Sequence, residues 1–160
     1  MKITILCVGK IKEKFYVQAI AEYVKRLSRY CKLEIVEVAD EKTPDRASEA
    51  EELLIKQREG DRMKRYLEGK DAFRIALAID GAMLDSPALS DKMNQLMIQG
   101  TSHIIFVIGG SLGIAEDVLA LTDYRLSFSK MTFPHQLMRV ILLEQVYRSY
   151  RIMNHEPYHK

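Results

Sequence analysis

Two stretches of this 160-residue chain gather residue types able to hold a small molecule and act on it. Ser127-Phe128-Ser129-Lys130-Met131-Thr132-Phe133-Pro134-His135 puts aromatics, hydroxyls, a cation and an imidazole into nine residues with no helical or strand period. Binding groups concentrate on loops held between rigid elements, and a loop this apolar must cover something; a buried connector with incidental hydroxyls would read the same. Upstream, Gly109-Gly110-Ser111-Leu112-Gly113 would let backbone amides approach a ligand closely, and the missing side chains would leave room for a flat group. The spacing matches neither GxGxxG nor GxxxxGK[ST], so a tight strand-to-helix turn explains it equally well. Ser111 and Ser129 lack the GxSxG elbow of a serine nucleophile. No carboxylate cluster supports metal-assisted hydrolysis. Cys7 and Cys31 have neither CxxC nor histidine spacing, which reads as free thiols in a reducing cytoplasm.

Charge adds a direction. The net charge is +2, but residues 130–160 carry Lys130, Arg139, Arg148, Arg151 and Lys160 against only Glu144 and Glu156. His135, His155 and His159 fall in the same segment. That end suits a polyanionic partner, though a solvated helix with scattered charge has the same composition. No apolar run reaches the roughly 18 residues of a membrane span, and Met1-Lys2-Ile3-Thr4 leads into a strand rather than a signal peptide.

The elements that must position these groups alternate. β-branched apolar runs predict strands over 2–8, 33–38, 73–79, 103–108 and 124–128. Between them, Phe15, Ala19, Tyr23 and Leu27 repeat at four, an amphipathic helix. Thr43-Pro44 offers a cap and first-turn proline for a charged helix over 47–67, which Gly60 could bend. Ser86-Pro87 opens a further helix that ends at Gly100, and 115–121 is a short one. Pro134 begins a helix running past Tyr150, apolar around much of its girth and therefore a core element or half of an interface. At 160 residues one domain is expected. The alternation predicts an α/β fold, a mainly parallel sheet covered by helices on both faces, with ligands at the carboxyl ends of the strands.

Taken together, several motifs resemble the SPOUT-class methyltransferases that modify ring nitrogen 3 of a pseudouridine in 23S ribosomal RNA. They are Val8–Lys14, Val107–Gly113, Leu126–Arg139, Glu144–Arg148 and the tail Glu156–Lys160, and the likeness covers essentially the full length. The middle, Asp45 to Lys70, is only loosely similar, and Ala82 stands where a lysine is common. The resemblance implies a cytoplasmic homodimer acting on the ribosome, S-adenosylmethionine as methyl donor, and a C-terminal trefoil knot, which general topology rules would have argued against. It also implies cofactor contacts at Leu77, Gly109, Gly110, Phe128, Ser129, Lys130, Met131, Thr132 and Phe133. Catalytic candidates are His135, Arg139, Tyr158 and His159: Arg139 for phosphate or anion stabilisation, Tyr158 and His159 for base positioning or proton transfer in a partner's site. Without the resemblance, a flavodoxin-like nucleotide or phosphate enzyme and a non-enzymatic ribosome-associated RNA binder both fit the same elements.

Overall fold

The computed structural model describes residues 1–160. Five parallel strands, β1 (Lys2–Val8), β2 (Lys32–Val38), β3 (Phe73–Met83), β4 (His103–Ile108) and β5 (Tyr124–Ser127), lie in the order β2-β1-β4-β3-β5. β1 and β4 are central and buried on both faces, which is why their sequences are near-continuous apolar runs rather than alternating ones. β2 is an edge and alternates exposed with part-buried positions.

Helices α1 (Lys14–Leu27), α3 (Ser86–Ile98) and α5 (His135–Met153) cover one face. There Leu27, Met93, Leu142, Leu143 and Val146 pack with Ile3, Ile5 and Phe106 of the sheet. Burying each such side chain contributes about 1.5–3 kcal/mol. α5 runs between α1 and α3, so its wide apolar girth meets neighbours on both sides within the chain. Ser86 Oγ donates to Gln145 Oε1 (2.7 Å) and the buried Ser90 Oγ to the Ser149 carbonyl (2.9 Å), fastening α3 to α5. The inner face of α1 is narrower than its sequence stripe: Ile20, Tyr23 and Leu27 face the core, while Phe15, Val17 and Val24 are exposed.

Helices α2 (Glu49–Lys64) and the short α4 (Glu116–Leu119) cover the other face, where Met63, Ala115 and Val118 close a second core over Leu6, Val8, Ile105 and Val107. Three expectations change here. α2 starts at Ser48, whose side chain accepts from the Glu51 amide at 3.2 Å, while Pro44 sits in a preceding turn. α2 also runs unbroken through Gly60. A Cβ there would lie 2.8 Å from Val118 Cγ2 and 3.3 Å from Ala115 Cβ, so the glycine brings α2 and α4 together rather than bending α2. Finally, β3 continues past Ile79 to Met83, because Leu77 and Ala82 both align with Leu126 across a bulge. Gly81 allows it: a Cβ at that position would sit 2.7 Å from the Arg125 carbonyl, a bulge role typical of strand glycines.

Gly60→Val should overpack the α2–α4 contact and lower the unfolding free energy by about 1–3 kcal/mol. Urea denaturation checks this; an unchanged midpoint would mean that the two helices do not need the close approach.

Candidate active site

A cavity of about 570 Å³ opens at the carboxyl ends of β3, β4 and β5, within the usual size for a small-molecule site. Its walls come from the β3 bulge (Leu77, Ala78, Ile79), the turn after β4 (Gly109 to Gly113), the segment after β5 (Leu126 to Ser129 and Met131 to Pro134) and the start of α5 (His135, Met138). Eight of the nine residues expected at a cofactor line it together; the ninth, Lys130, is exposed and outside the lining. His135 is the only ionisable side chain in the wall.

Local bonding explains the shapes of both loops. Gly113 takes a φ of +91° and donates its amide to the Gly110 carbonyl at 3.1 Å. A Cβ on Gly109 would lie 2.6 Å from the Gly113 carbonyl carbon, so the turn closes on itself only with glycine at both ends. Gly110 has a different reason. Its Cβ would meet Glu59 Oε1 of α2 at 2.8 Å, so the missing side chain makes room for a buried carboxylate instead of a flat ligand group. After β5, Ser127 Oγ donates to the Ser129 carbonyl (3.1 Å) and Ser129 Oγ accepts from the Met131 amide (3.0 Å). These hydroxyls shape their own loop, a local competition with regular structure familiar for serine.

His135 opens α5, and its Nδ1 is buried without a hydrogen-bond partner. Burial, reinforced by the nearby Arg139 charge, holds its pKa below the ordinary histidine value, so the ring is neutral near pH 7. Arg139, one turn on, is only 1% exposed. Its Nη1 meets Glu37 Oε2 at 2.6 Å and its Nη2 donates to the Gly9 carbonyl at 3.1 Å. The expected contact of Arg139 with phosphate or a developing anion is not seen in this geometry: the guanidinium is enclosed, both Nη atoms are engaged within the chain, and only Nε is left buried without a partner.

Tyr158 and His159 lie elsewhere in the chain. Tyr158 donates to Glu144 Oε1 (3.0 Å), stacks edge-on against Tyr147 (ring centroids 5.0 Å apart) and carries the Arg148 guanidinium over its ring at 4.6 Å. Burial and the Glu144 bond push its pKa up to about 12. His159 Nδ1 lies 3.2 Å from Arg148 Nη1, and Glu156 meets both Arg151 (2.5 Å) and Tyr30 (2.6 Å). The tail is thus pinned rather than loose. Glu144 is nine residues from His135, roughly 13 Å along a helix, and no tail residue lines the cavity of its own chain.

Sequence reasoning missed Glu37, Ala78, Ile79, Met138 and Glu59, and had Gly9 only as part of the Val8–Lys14 motif, not as a partner of Arg139. Only Glu59 left a signal: it falls with Ile55 and Met63 on the inner stripe of α2, where a carboxylate is out of place.

The parallel sheet places a small-molecule cavity at the carboxyl ends of three strands, the usual ligand position in an open α/β sheet. A putative methyltransferase from Legionella pneumophila, solved with bound cofactor SAM, has a similar fold (TM-score 0.51, 10% identity, covering 94% of this chain and 66% of that one). The chain belongs to the SPOUT methyltransferase family, whose model, described as a predicted SPOUT methyltransferase, matches residues 1–159. It is 62% identical to the ribosomal RNA large subunit methyltransferase H of Bifidobacterium adolescentis and 58% identical to that of Clostridium novyi, in each case over 160 residues and all of both chains.

Gly110→Ala should cost about 1 kcal/mol, because the Glu59 carboxylate it meets is a side-chain end that must shift, and most of that cost should vanish in a Glu59→Ala background. A double-mutant cycle by chemical denaturation reads the coupling; additive effects would mean that the carboxylate and Gly110 do not touch.

Proposed function

We propose that the cavity binds S-adenosylmethionine and that the chain methylates ring nitrogen 3 of a pseudouridine in 23S ribosomal RNA, on the assembled ribosome in the cytoplasm. The observation that carries this reading is the cavity itself. Its walls combine Leu77, Leu126, Phe128, Phe133 and Met138 with a glycine turn and contain no Asp, Glu, Lys or Arg. Apolar walls with exposed backbone suit an adenine ring and its edge. The names of the two bacterial relatives support ribosomal RNA as the substrate, and the motif resemblance supports the pseudouridine nitrogen.

When bound, S-adenosylmethionine supplies an activated methyl group; the chain orients it, keeps water out and handles the acceptor's proton. Leu77, Gly109, Gly110 and the loop Phe128–Phe133 hold the donor in place, which lowers the barrier by orientation. His135, being neutral, adds no like charge beside a cationic ligand. The acceptor is a weakly acidic N–H, so attack is easier once its proton is removed. Tyr158 positions the base, and His159 takes its proton. Arg139 acts as a positioning residue that holds the start of α5 against the sheet.

Because Tyr158 and His159 stand away from the cavity of their own chain, they serve the cavity of a second copy in a homodimer. Ile79 and Met131 of the cavity wall are 52% and 73% exposed, and Met83 at the end of β3 is 60% exposed. That is apolar surface for a partner and a ligand to cover. The chain works as one domain over 1–160, and its C-terminal part is threaded as a trefoil knot. Supporting the knot are the family resemblance and the meeting of the loops after β4 and β5 at one cavity before α5 turns back between α1 and α3.

Calorimetry should show S-adenosylmethionine binding to the purified protein, and radiolabelled methyl should pass to ribosomes lacking the modification, appearing by mass mapping on a pseudouridine ring nitrogen of 23S RNA. Deleting Tyr158 to Lys160 should leave the donor affinity within about threefold, cost about 1–2 kcal/mol of stability from the lost tyrosine packing, and abolish methyl transfer. No donor binding would overturn the cofactor reading; normal transfer by the truncated protein would remove the tail from catalysis.

A further inference from the structure

Glu59 is a buried carboxylate that the reaction as derived does not use. It is 5% exposed. Its Oε2 accepts from the Glu41 amide at 3.0 Å, while Oε1 is buried with no partner and packs where a side chain on Gly110 would otherwise be. Gly110 belongs to the cavity wall, and that wall contains no acidic residue of its own. The nearest cation does not neutralise Glu59 directly: Arg62 places Nη2 on Glu41 Oε1 (2.6 Å) and Nη1 on the Ala39 carbonyl (2.8 Å). On the α4 side, Lys64 is engaged by Asp61 and Asp117. A buried polar atom without a partner is uncommon and calls for a reason. A carboxylate held there costs desolvation, and Gly110 keeps the space it occupies.

We propose that Glu59 acts from behind the glycine turn as a specificity-determining residue, biasing the cavity toward the cationic methyl donor and against its neutral-sulfur product. This rests on the cavity taking S-adenosylmethionine. Donor and S-adenosylhomocysteine share their adenosine and amino-acid ends and differ by one methyl group and one positive charge at sulfur. A fixed negative charge one residue behind the wall attracts the first and is indifferent to that charge's absence in the second. The attraction is stronger than it would be in bulk water because Glu59 is itself buried. The consequence is functional: product leaves more readily than donor, so turnover is not stalled by its own by-product.

The electrostatics give the bias a pH sign. Burial first, then the neighbouring Asp40 and Glu41 charges, push the Glu59 pKa up, while the Glu41 amide and Arg62 oppose the rise. The bias is present where Glu59 is ionised, above its raised pKa, and fades as pH falls through it. Lys64 with Asp61 and Asp117, at the α2–α4 contact, sum to one negative charge that stays fixed across this range, whereas His135 in the cavity wall gains a positive charge as pH falls.

The test is calorimetry of the full chain with S-adenosylmethionine and with S-adenosylhomocysteine at pH 8, in wild type and in Glu59→Gln, which keeps the shape and an acceptor for the Glu41 amide. The donor-to-product affinity ratio should narrow by roughly tenfold in the variant, almost wholly through weaker donor binding. Equal loss for both ligands, or an unchanged ratio, would overturn the proposal and make Glu59 a packing residue only. Wild type binding neither ligand would instead overturn the cofactor reading. If Glu59→Gln does not fold, the ratio measured from pH 8 down to pH 5 in His135→Gln, which removes the one ionisable side chain of the wall, decides: a ratio that declines toward acid supports the proposal, and a flat one refutes it.

Discussion

The guanidinium of Arg139 ties together parts of the chain that are far apart in sequence. It lies one turn into α5, yet its two bonds reach Glu37 near the end of β2 and the carbonyl of Gly9 just after β1. Those bonds hold the first turn of α5 against the carboxyl edge of the sheet. With that turn fixed, His135 and Met138 are fixed as one wall of the cavity, and the segment from Phe128 to Pro134 must arch over the strand ends to reach it. Removing Glu37 would leave the buried Arg139 charge without its carboxylate; because Glu37 is itself a third exposed, the cost falls below the figure of about 3–5 kcal/mol typical of a fully buried pair. Gly9, at φ +85°, can present its carbonyl because it tolerates the left-handed backbone there.

From that anchor the rest of the site follows by packing. α5 continues between α1 and α3, burying Leu142, Leu143, Val146, Tyr147 and Tyr150, and carries the chain away from the cavity. The tail then folds back onto the outer half of the same helix, where Tyr158 meets Glu144, Tyr147 and Arg148. On the opposite face, Gly60 lets α2 press against α4, and the residue before it, Glu59, comes to lie behind the glycine turn. One helix thus separates the proposed donor site from the proposed proton-handling tail, while another places a charge behind the donor site.

The strands were legible because β1 and β4 are buried on both faces and leave unbroken apolar runs, and α3 because its inner stripe of Leu89, Met93 and Leu96 keeps the helical period. The cavity's loops were legible as loops, since Gly109 to Gly113 and Ser127 to Pro134 break every period. What the sequence concealed depends on contacts between distant residues. Glu37 and Arg139 are 102 positions apart, and nothing local marks them as partners. Gly60 read as a weak point in a helix because its neighbours Val118 and Ala115 are known only from the fold. Thr43-Pro44 had the right residue types for a helix start, but Ser48 made the cap bond. Gly110 read as leaving room for a flat ligand group, but the space it leaves is taken by Glu59.

The central claim is that a complete site needs the cavity of one copy and the tail of another. It is tested most directly by isolating, with two affinity tags, a mixed dimer of Ala78→Arg, which blocks the cavity, and the chain deleted from Tyr158 to Lys160. Each altered protein alone should be inactive toward ribosomes. The mixed dimer should recover about half of wild-type methyl transfer, since twofold pairing leaves it one of two complete sites. An inactive mixed dimer, from subunits that remain folded and paired, would contradict the account and place both halves of the site within a single chain.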